Sequence, residues 1–280
     1  MTSQDHTTYE PNKTQATVRG ELDAATRQLF TENPVLSQMS EHRSIRAYTD
    51  EPITETELQA IIAAVEEGPD WCNFQHVSIV AIDDPAQRQR AYELCGNQDH
   101  VLEAPVFLMF CADFYRTWLA CDCDQEAFDQ VTRVADNIIV GSVEVGIALG
   151  SATVAAEALG LGTCCVGSAR EREPEMRELL QLPRYVFPVC GFCIGHAAET
   201  PDLKPRLPER AVFFRDHYDA DLKPVIEEYD EAYRQYLATR SSNQKDGSWT
   251  QEVASYYTIP YTRYEDIPEM LLHQGFGFEK

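Results

Sequence analysis

The residues best equipped for chemistry in this chain are cations, and they come in clusters. His42, Arg43, Ser44 and Arg46 set three potential cations and a hydroxyl within five positions, and Lys204 and Arg206 form a second basic pair stiffened by Pro205 and Pro208. A guanidinium matches phosphate through two parallel hydrogen bonds, so such clusters suit an anion site. Taken alone, the 42–46 cluster is better explained as a solvated basic turn, and neither cluster is specific by itself. Their weight comes from the background: 23 Lys plus Arg stand against 46 Asp plus Glu, a formal net charge of −23, and only five of the 280 residues are Lys. Two basic clusters in so acidic a chain point to phosphate recognition.

Other constellations carry less. Cys190 and Cys193 form a C-x-x-C within a strand-like run, where side chains three apart face opposite sides, so buried core thiols are expected ahead of a redox pair. Cys121 and Cys123 could join them as a four-thiol metal site, but their spacing is unlike a zinc knuckle and no metal is expected. Gly160 and Gly162 open like a dinucleotide fingerprint, yet Cys165 stands at the third glycine position and the motif precedes a strand. Ser168 lacks the setting of a hydrolase nucleophile. Asp136, Glu144 and Glu157 lie eight and thirteen residues apart on one apolar segment and read as helix-end or interface charges.

The charge excludes polyanionic partners, because nucleic acid and anionic lipid bind through basic patches. Hydrophobic residues at 44% and charged residues at 25% are ordinary globular proportions. The apolar run at 138–161 is interrupted by Glu144 and Glu157, so no membrane helix is expected. The first ten residues lack an apolar core of the secretory type, which implies a cytoplasmic protein whose nine Cys are mostly thiols. Acid excess with scarce Lys resembles adaptation to a high-salt cytoplasm; a simply acidic mesophilic protein is the alternative.

These residues need elements to hold them. Residues 1–20 show no hydrophobic periodicity and read as a mobile tail ahead of a single domain over 21–280. Thr54 and Glu57 make a capping box, followed by Leu58, Ile61, Ile62 and Val65 at helical spacing, with Gly68 and Pro69 as the stop. Strands are expected at 76–82, 104–112, 161–166 and 185–194, with helices at 86–94 and 174–182. Residues 128–159 are apolar nearly all round, as in a central or interface helix. Helical patterns return in a C-terminal excursion at about 222–275. The sum is a mixed α and β layered domain.

The order and spacing of several motifs carry a resemblance: His42 to Arg46, then Tyr48-Thr49-Asp50-Glu51-Pro52, Gln98, the run Ala155 to Gly162, Val166-Gly167-Ser168-Ala169-Arg170, and Pro201 to Pro208. Together they are similar to the FMN-dependent nitroreductase family, nearest its oxygen-insensitive NADPH nitroreductase and flavin reductase P branch. The resemblance implies an α+β fold with a central mixed or antiparallel sheet flanked by helices, in an intertwined homodimer with a long interface helix. It implies that His42, Arg43, Ser44, Lys204 and Arg206 hold the flavin phosphate, that Arg46 and Gln98 meet the pyrimidine edge, and that Val166, Gly167 and Ser168 form the turn beside flavin N5. A fixed cation at that edge stabilises reduced flavin without reorganisation. Where the branch has a Ser-rich run, this chain has residues 69–75, from which Cys72, Phe74 and Gln75 are implied to line the flavin of the partner subunit. Arg240 and Lys245 match cations for the NADPH 2′-phosphate, and Arg263 matches an Arg near the substrate pocket.

The implied activity is NADPH-dependent two-electron reduction of nitroaromatics, quinones, azo compounds or free flavin by a ping-pong course, with no catalytic side chain beyond the electrostatic Arg46. A thiol-disulfide oxidoreductase using Cys190 and Cys193, or a non-catalytic flavin-binding protein, are the alternatives.

Overall fold

Short polar side chains start most of the helices. The computed structural model describes residues 22–258 and 264–277, and it opens with α1 (Ala24–Glu32) and α2 (Pro34–Ser40), whose first turns are capped by Asp23 and Asn33. At α3 (Glu55–Glu66) the expected capping box is present: the Glu57 N–H donates to Thr54 and the Glu57 carboxylate accepts from the Thr54 N–H at 2.8 Å. Then follow β1 (Val77–Ala81), α4 (Pro85–Leu94, capped by Asp84), α5 (His100–Glu103), β2 (Val106–Asp113), α6 (Tyr115–Cys121), α7 (Gln125–Thr132) and α8 (Ala135–Ala158). The chain continues through β3 (Gly162–Val166), a 3-10 turn (Gly167–Arg170), α9 (Glu173–Leu179), β4 (Val186–Gly195), α10 (Lys223–Thr239), α11 (Trp249–Tyr257) and α12 (Ile267–His273).

The described residues fall into two compact units, 42–200 with 264–277 and 22–41 with 201–258. The larger holds one four-stranded sheet in the order β1-β2-β4-β3, antiparallel at every pairing, the antiparallel form of the expected sheet. Alternation along the strands sorts side chains into two layers. Leu108, Phe110, Phe192 and Ile194 face Ile61 and Val65 of α3 and Val145, Ala148 and Ala152 of α8. Phe107, Met109, Cys164 and Cys193 face Ala91 and Leu94 of α4 and Met176 of α9. The result is a sheet between two helical layers, each closed by its own apolar cluster.

The apolar run at 128–159 does not form one helix. Val134 takes an extended conformation (φ −101°, ψ 126°) and divides α7 from the 24-residue α8. By length and composition α8 could cross a membrane, contrary to the expectation, because Glu144 and Glu157 together are too few to spoil an apolar stretch of that length. One face of α8 packs into the sheet's core, and Ile139 and Val143 lie exposed on another. The helices α1, α2, α5 and α6 have no counterpart in the sequence pattern; several are too short for periodicity to reveal. The four strands lie within two residues of their expected ends.

In the smaller unit α10 buries Tyr229, Tyr233 and Leu237, and Trp249 stacks edge-on against Tyr229 at 5.6 Å. Asp230 reaches the start of α11, where its carboxylate accepts from the Thr250 N–H at 2.8 Å.

Candidate functional site

The cationic segment is fixed by backbone pairing. The Ile45 N–H donates to the Thr163 carbonyl at 2.8 Å, and Ser44 bridges Thr163 in parallel register, so residues 42–46 run beside the start of β3. Close approach is possible because residue 162 is Gly: a Cβ there would sit 2.7 Å from the Ile45 side chain. Four residues on from Thr163, β3 ends in the turn at Gly167. A Cβ at Gly167 would meet nothing nearer than the Arg170 guanidinium at 3.8 Å, so the main chain there has open space above it, room a planar ring needs. The same stretch of sheet thus carries anion-pairing side chains at one end and an uncovered backbone turn at the other.

Several of these residues are held by named contacts. The His42 Nδ1 lies 2.5 Å from the Glu157 Oε1, at the C-terminal end of α8. The Arg46 N–H donates to Glu199 at 2.6 Å. Burial pushes the His100 imidazole pKa down, and the Arg46 charge adds to that push. The Gln98 amide donates to the Cys95 carbonyl at 2.9 Å and to the Ser168 hydroxyl, while Ser168 donates to the same carbonyl at 2.8 Å. Gln98 and the Gly167 turn are therefore knotted together, and burial raises the Cys95 thiol beneath them to about 12. The Arg170 guanidinium donates to the Val189 carbonyl and stacks 5.5 Å from the Tyr264 ring, whose hydroxyl donates to the Gly167 carbonyl at 3.5 Å.

Cys72, Phe74 and Gln75 are exposed on one loop of the same unit. Cys72, Asn73 and Gln75 adopt positive φ (55°, 59° and 57°), a conformation costly for side-chain-bearing residues unless the surroundings impose it. Glu144 imposes it. Only 4% exposed, its carboxylate accepts from the Trp71 N–H at 3.1 Å, the His76 N–H at 2.8 Å and the His76 ring at 2.9 Å. Glu144 is thus an internal anchor and not the helix-end or interface charge expected of it. The signal available in the sequence was a carboxylate placed mid-helix in an apolar run.

In the smaller unit Lys204 and Arg206 are exposed, and the carbonyl of Pro205 between them accepts from the Tyr229 hydroxyl at 3.0 Å. Arg240 donates to the Asn243 carbonyl at 2.8 Å and lies over the Tyr236 ring, while Lys245 pairs with Glu252 at 2.7 Å. The Ser241 N–H donates to Asp202 at 2.5 Å, tying the loop of Arg240 to that of Lys204. Lys204 adds to the downward push on the Glu252 pKa that begins with the Lys245 hydrogen bond. These four cations are gathered within their unit. Arg263 and residues 1–20 lie outside the described residues.

The cysteines separate as strand geometry requires. Cys190 hydrogen-bonds with the exposed Cys165, whereas Cys193 is wholly buried on the opposite face and donates to the His100 carbonyl at 3.3 Å. Burial raises the Cys193 pKa well above its ordinary value, so a thiol-disulfide function for this pair is not supported. Cys121 and Cys123 are bonded to each other, leaving seven free thiols.

Comparison with known proteins follows the same lines. Residues 39–196 match the nitroreductase family and residues 204–279 the C-terminal domain described for that family. The chain is 42% identical over 250 residues to an FMN reductase [NAD(P)H] of Bacillus subtilis, covering 89% of this chain and 100% of the relative. It is 37% identical over 245 residues to an oxygen-insensitive NADPH nitroreductase of Salmonella typhimurium, covering 88% and 99%. The solved structure of the hypothetical oxidoreductase YcnD from Bacillus subtilis superposes with a TM-score of 0.83 at 42% identity, over 89% of this chain and 100% of that one.

Proposed function

The chain belongs to the nitroreductase family, and from that premise we propose how its own residues serve an FMN-dependent NAD(P)H oxidoreductase. The enzyme class and the two cofactors follow from family and relatives. One arrangement carries the assignment of residues: the cationic segment 42–46 pinned to β3 and leading, along that strand, to the open turn at Gly167. The donor set fits the cofactor, since cations suit a phosphate and an uncovered backbone N–H suits a ring nitrogen.

When bound, FMN supplies the two-electron hydride chemistry between NADPH and the acceptor. In this reading His42, Arg43 and Ser44 hold the ribityl phosphate. Arg46 and Gln98 face the pyrimidine edge, where a positioned cation stabilises negative charge as it develops without moving to do so. Val166, Gly167 and Ser168 present backbone to the ring. Cys72, Phe74 and Gln75 serve the site of a partner subunit, and the exposed apolar positions Ile139 and Val143 of α8 support a homodimer. In the smaller unit Lys204 and Arg206 are assigned to flavin phosphate, and Arg240 and Lys245 to the extra phosphate that favours NADPH. Arg263 is retained for the substrate pocket. The acceptors proposed are planar oxidants: nitroaromatics, quinones, azo compounds or free flavin. Residues 21–280 are taken as one FMN domain of a cytoplasmic protein.

Purified protein tests the reading directly. A yellow preparation with an FMN spectrum that bleaches on addition of NADPH supports it. A colourless protein that takes up no FMN defeats it.

A further inference from the structure

Glu157 is placed where a carboxylate has little reason to be. It stands in the last turn of α8, at the negative end of the helix dipole, where an anionic side chain is disfavoured. It also lies in a chain of net charge −23, beside a segment whose proposed task is to hold a phosphate. A carboxylate bare to that phosphate would repel it. The geometry removes this objection, because Glu157 spends its Oε1 on the His42 Nδ1 at 2.5 Å, with 13% of its side chain exposed against 34% for His42.

A carboxylate only accepts, so the bond fixes Nδ1 as a hydrogen-bearing nitrogen and locks the ring's rotation. Nε2, on the far edge of a rigid five-membered ring, is then turned away from α8, and the imidazole stands between the carboxylate and whatever Nε2 meets. The partner is brought within reach by the backbone: Ser44 and Ile45 pair with Thr163, only a few residues past the end of α8.

We infer that Glu157 is a positioning residue of the flavin phosphate site, acting through His42; this rests on the phosphate-holding role proposed above for His42. Glu157 touches no cofactor atom itself. It orients the ring so that one nitrogen is committed to the protein and the other to the anion, as outer carboxylates do for histidines that bind metals.

The test compares two probes on the full-length apoprotein: FMN, and riboflavin, which shares the ring system and ribityl chain but lacks the phosphate. Flavin fluorescence quenching gives both dissociation constants. Glu157→Ala is expected to weaken FMN roughly tenfold, the worth of a charge-assisted hydrogen bond, and to leave riboflavin within about twofold. Glu157→Gln, which keeps an acceptor of the same shape without the charge, should fall between Glu157→Ala and wild type. In a His42→Ala background, Glu157→Ala should cost nothing further. Equal weakening of both flavins would reduce Glu157 to a structural role and overturn the inference. Unchanged or tighter FMN binding would overturn it too. The two readings separate cleanly: if His42→Ala weakens FMN and Glu157→Ala does not, only the inference fails, and if His42→Ala also leaves FMN binding intact, the phosphate role of His42 fails.

Discussion

Glu173 gives the sharpest stability prediction. Its carboxylate is 1% exposed, neither oxygen has a hydrogen-bond partner, and the nearest cation, on Arg177, is 3.9 Å away. Burial pushes its pKa from 4.5 up to about 7, against a smaller opposing pull from Arg177. The folded state therefore holds a proton through the range from pH 4.5 to about 7, in which the unfolded chain releases it. Stability is full below pH 4.5 as far as this group is concerned, falls as pH rises across that window, and is lowest above it. A shift of about 2.5 units at 1.36 kcal/mol each corresponds to about 3 kcal/mol. Glu173→Gln substitutes a neutral side chain of the same size. The variant should match wild type near pH 4.5 and exceed it by up to about 3 kcal/mol at pH 8, about 6 °C or more in Tm for a chain of this size. Urea unfolding at several pH values, at fixed protein concentration and salt, measures the difference between the two proteins. The difference removes the contribution of all other titrating groups. A difference that stays flat from pH 5 to pH 8, or a variant less stable at pH 8, would refute the reasoning.

Arg46→Ala should lower the reduction potential of bound flavin and slow its reduction by NADPH roughly 100-fold, the usual worth of a preorganised electrostatic group; stopped-flow traces unchanged from wild type would remove Arg46 from the electrostatic role. Glu144→Ala strands the His76 ring in the core and releases the Trp71 and His76 N–H groups, so a loss of about 3 kcal/mol in chemical unfolding is expected; a variant as stable as wild type would show that the 70–75 loop does not need its anchor. Because a surface of net charge −23 repels an anionic nucleotide, the apparent KM for NADPH should fall as KCl rises from low to moderate concentration. A KM that climbs steadily with salt contradicts that account. Activity that gains nothing between low and molar KCl speaks against a high-salt habitat.

Much of this protein can be read from local chemistry. The capping box at Thr54 and Glu57 is legible because both partners sit within one turn. The alternating runs that become β2 and β4 are legible because a strand's period of two survives in the sequence. The cationic segment at 42–46 stands out against the acid background, and the order of motifs identifies the family. What sequence could not supply were pairings across long separations. Glu144 and His76 are 68 residues apart, and Glu157 and His42 are 115 apart. Residue type alone gave both carboxylates the bland role of helix charges. The break at Val134 was likewise hidden, since nothing in its side chain forbids a helix.

Composition, spacing and short-range capping thus settled the family, the strands and which residues were candidates for the site, because those properties depend on neighbours along the chain. Tertiary structure alone decided which carboxylate anchors which histidine, which cysteines face away from one another, and why a Gly at position 162 lets the cationic segment lie against β3. Such contacts depend on distances that the fold sets and chain order does not record.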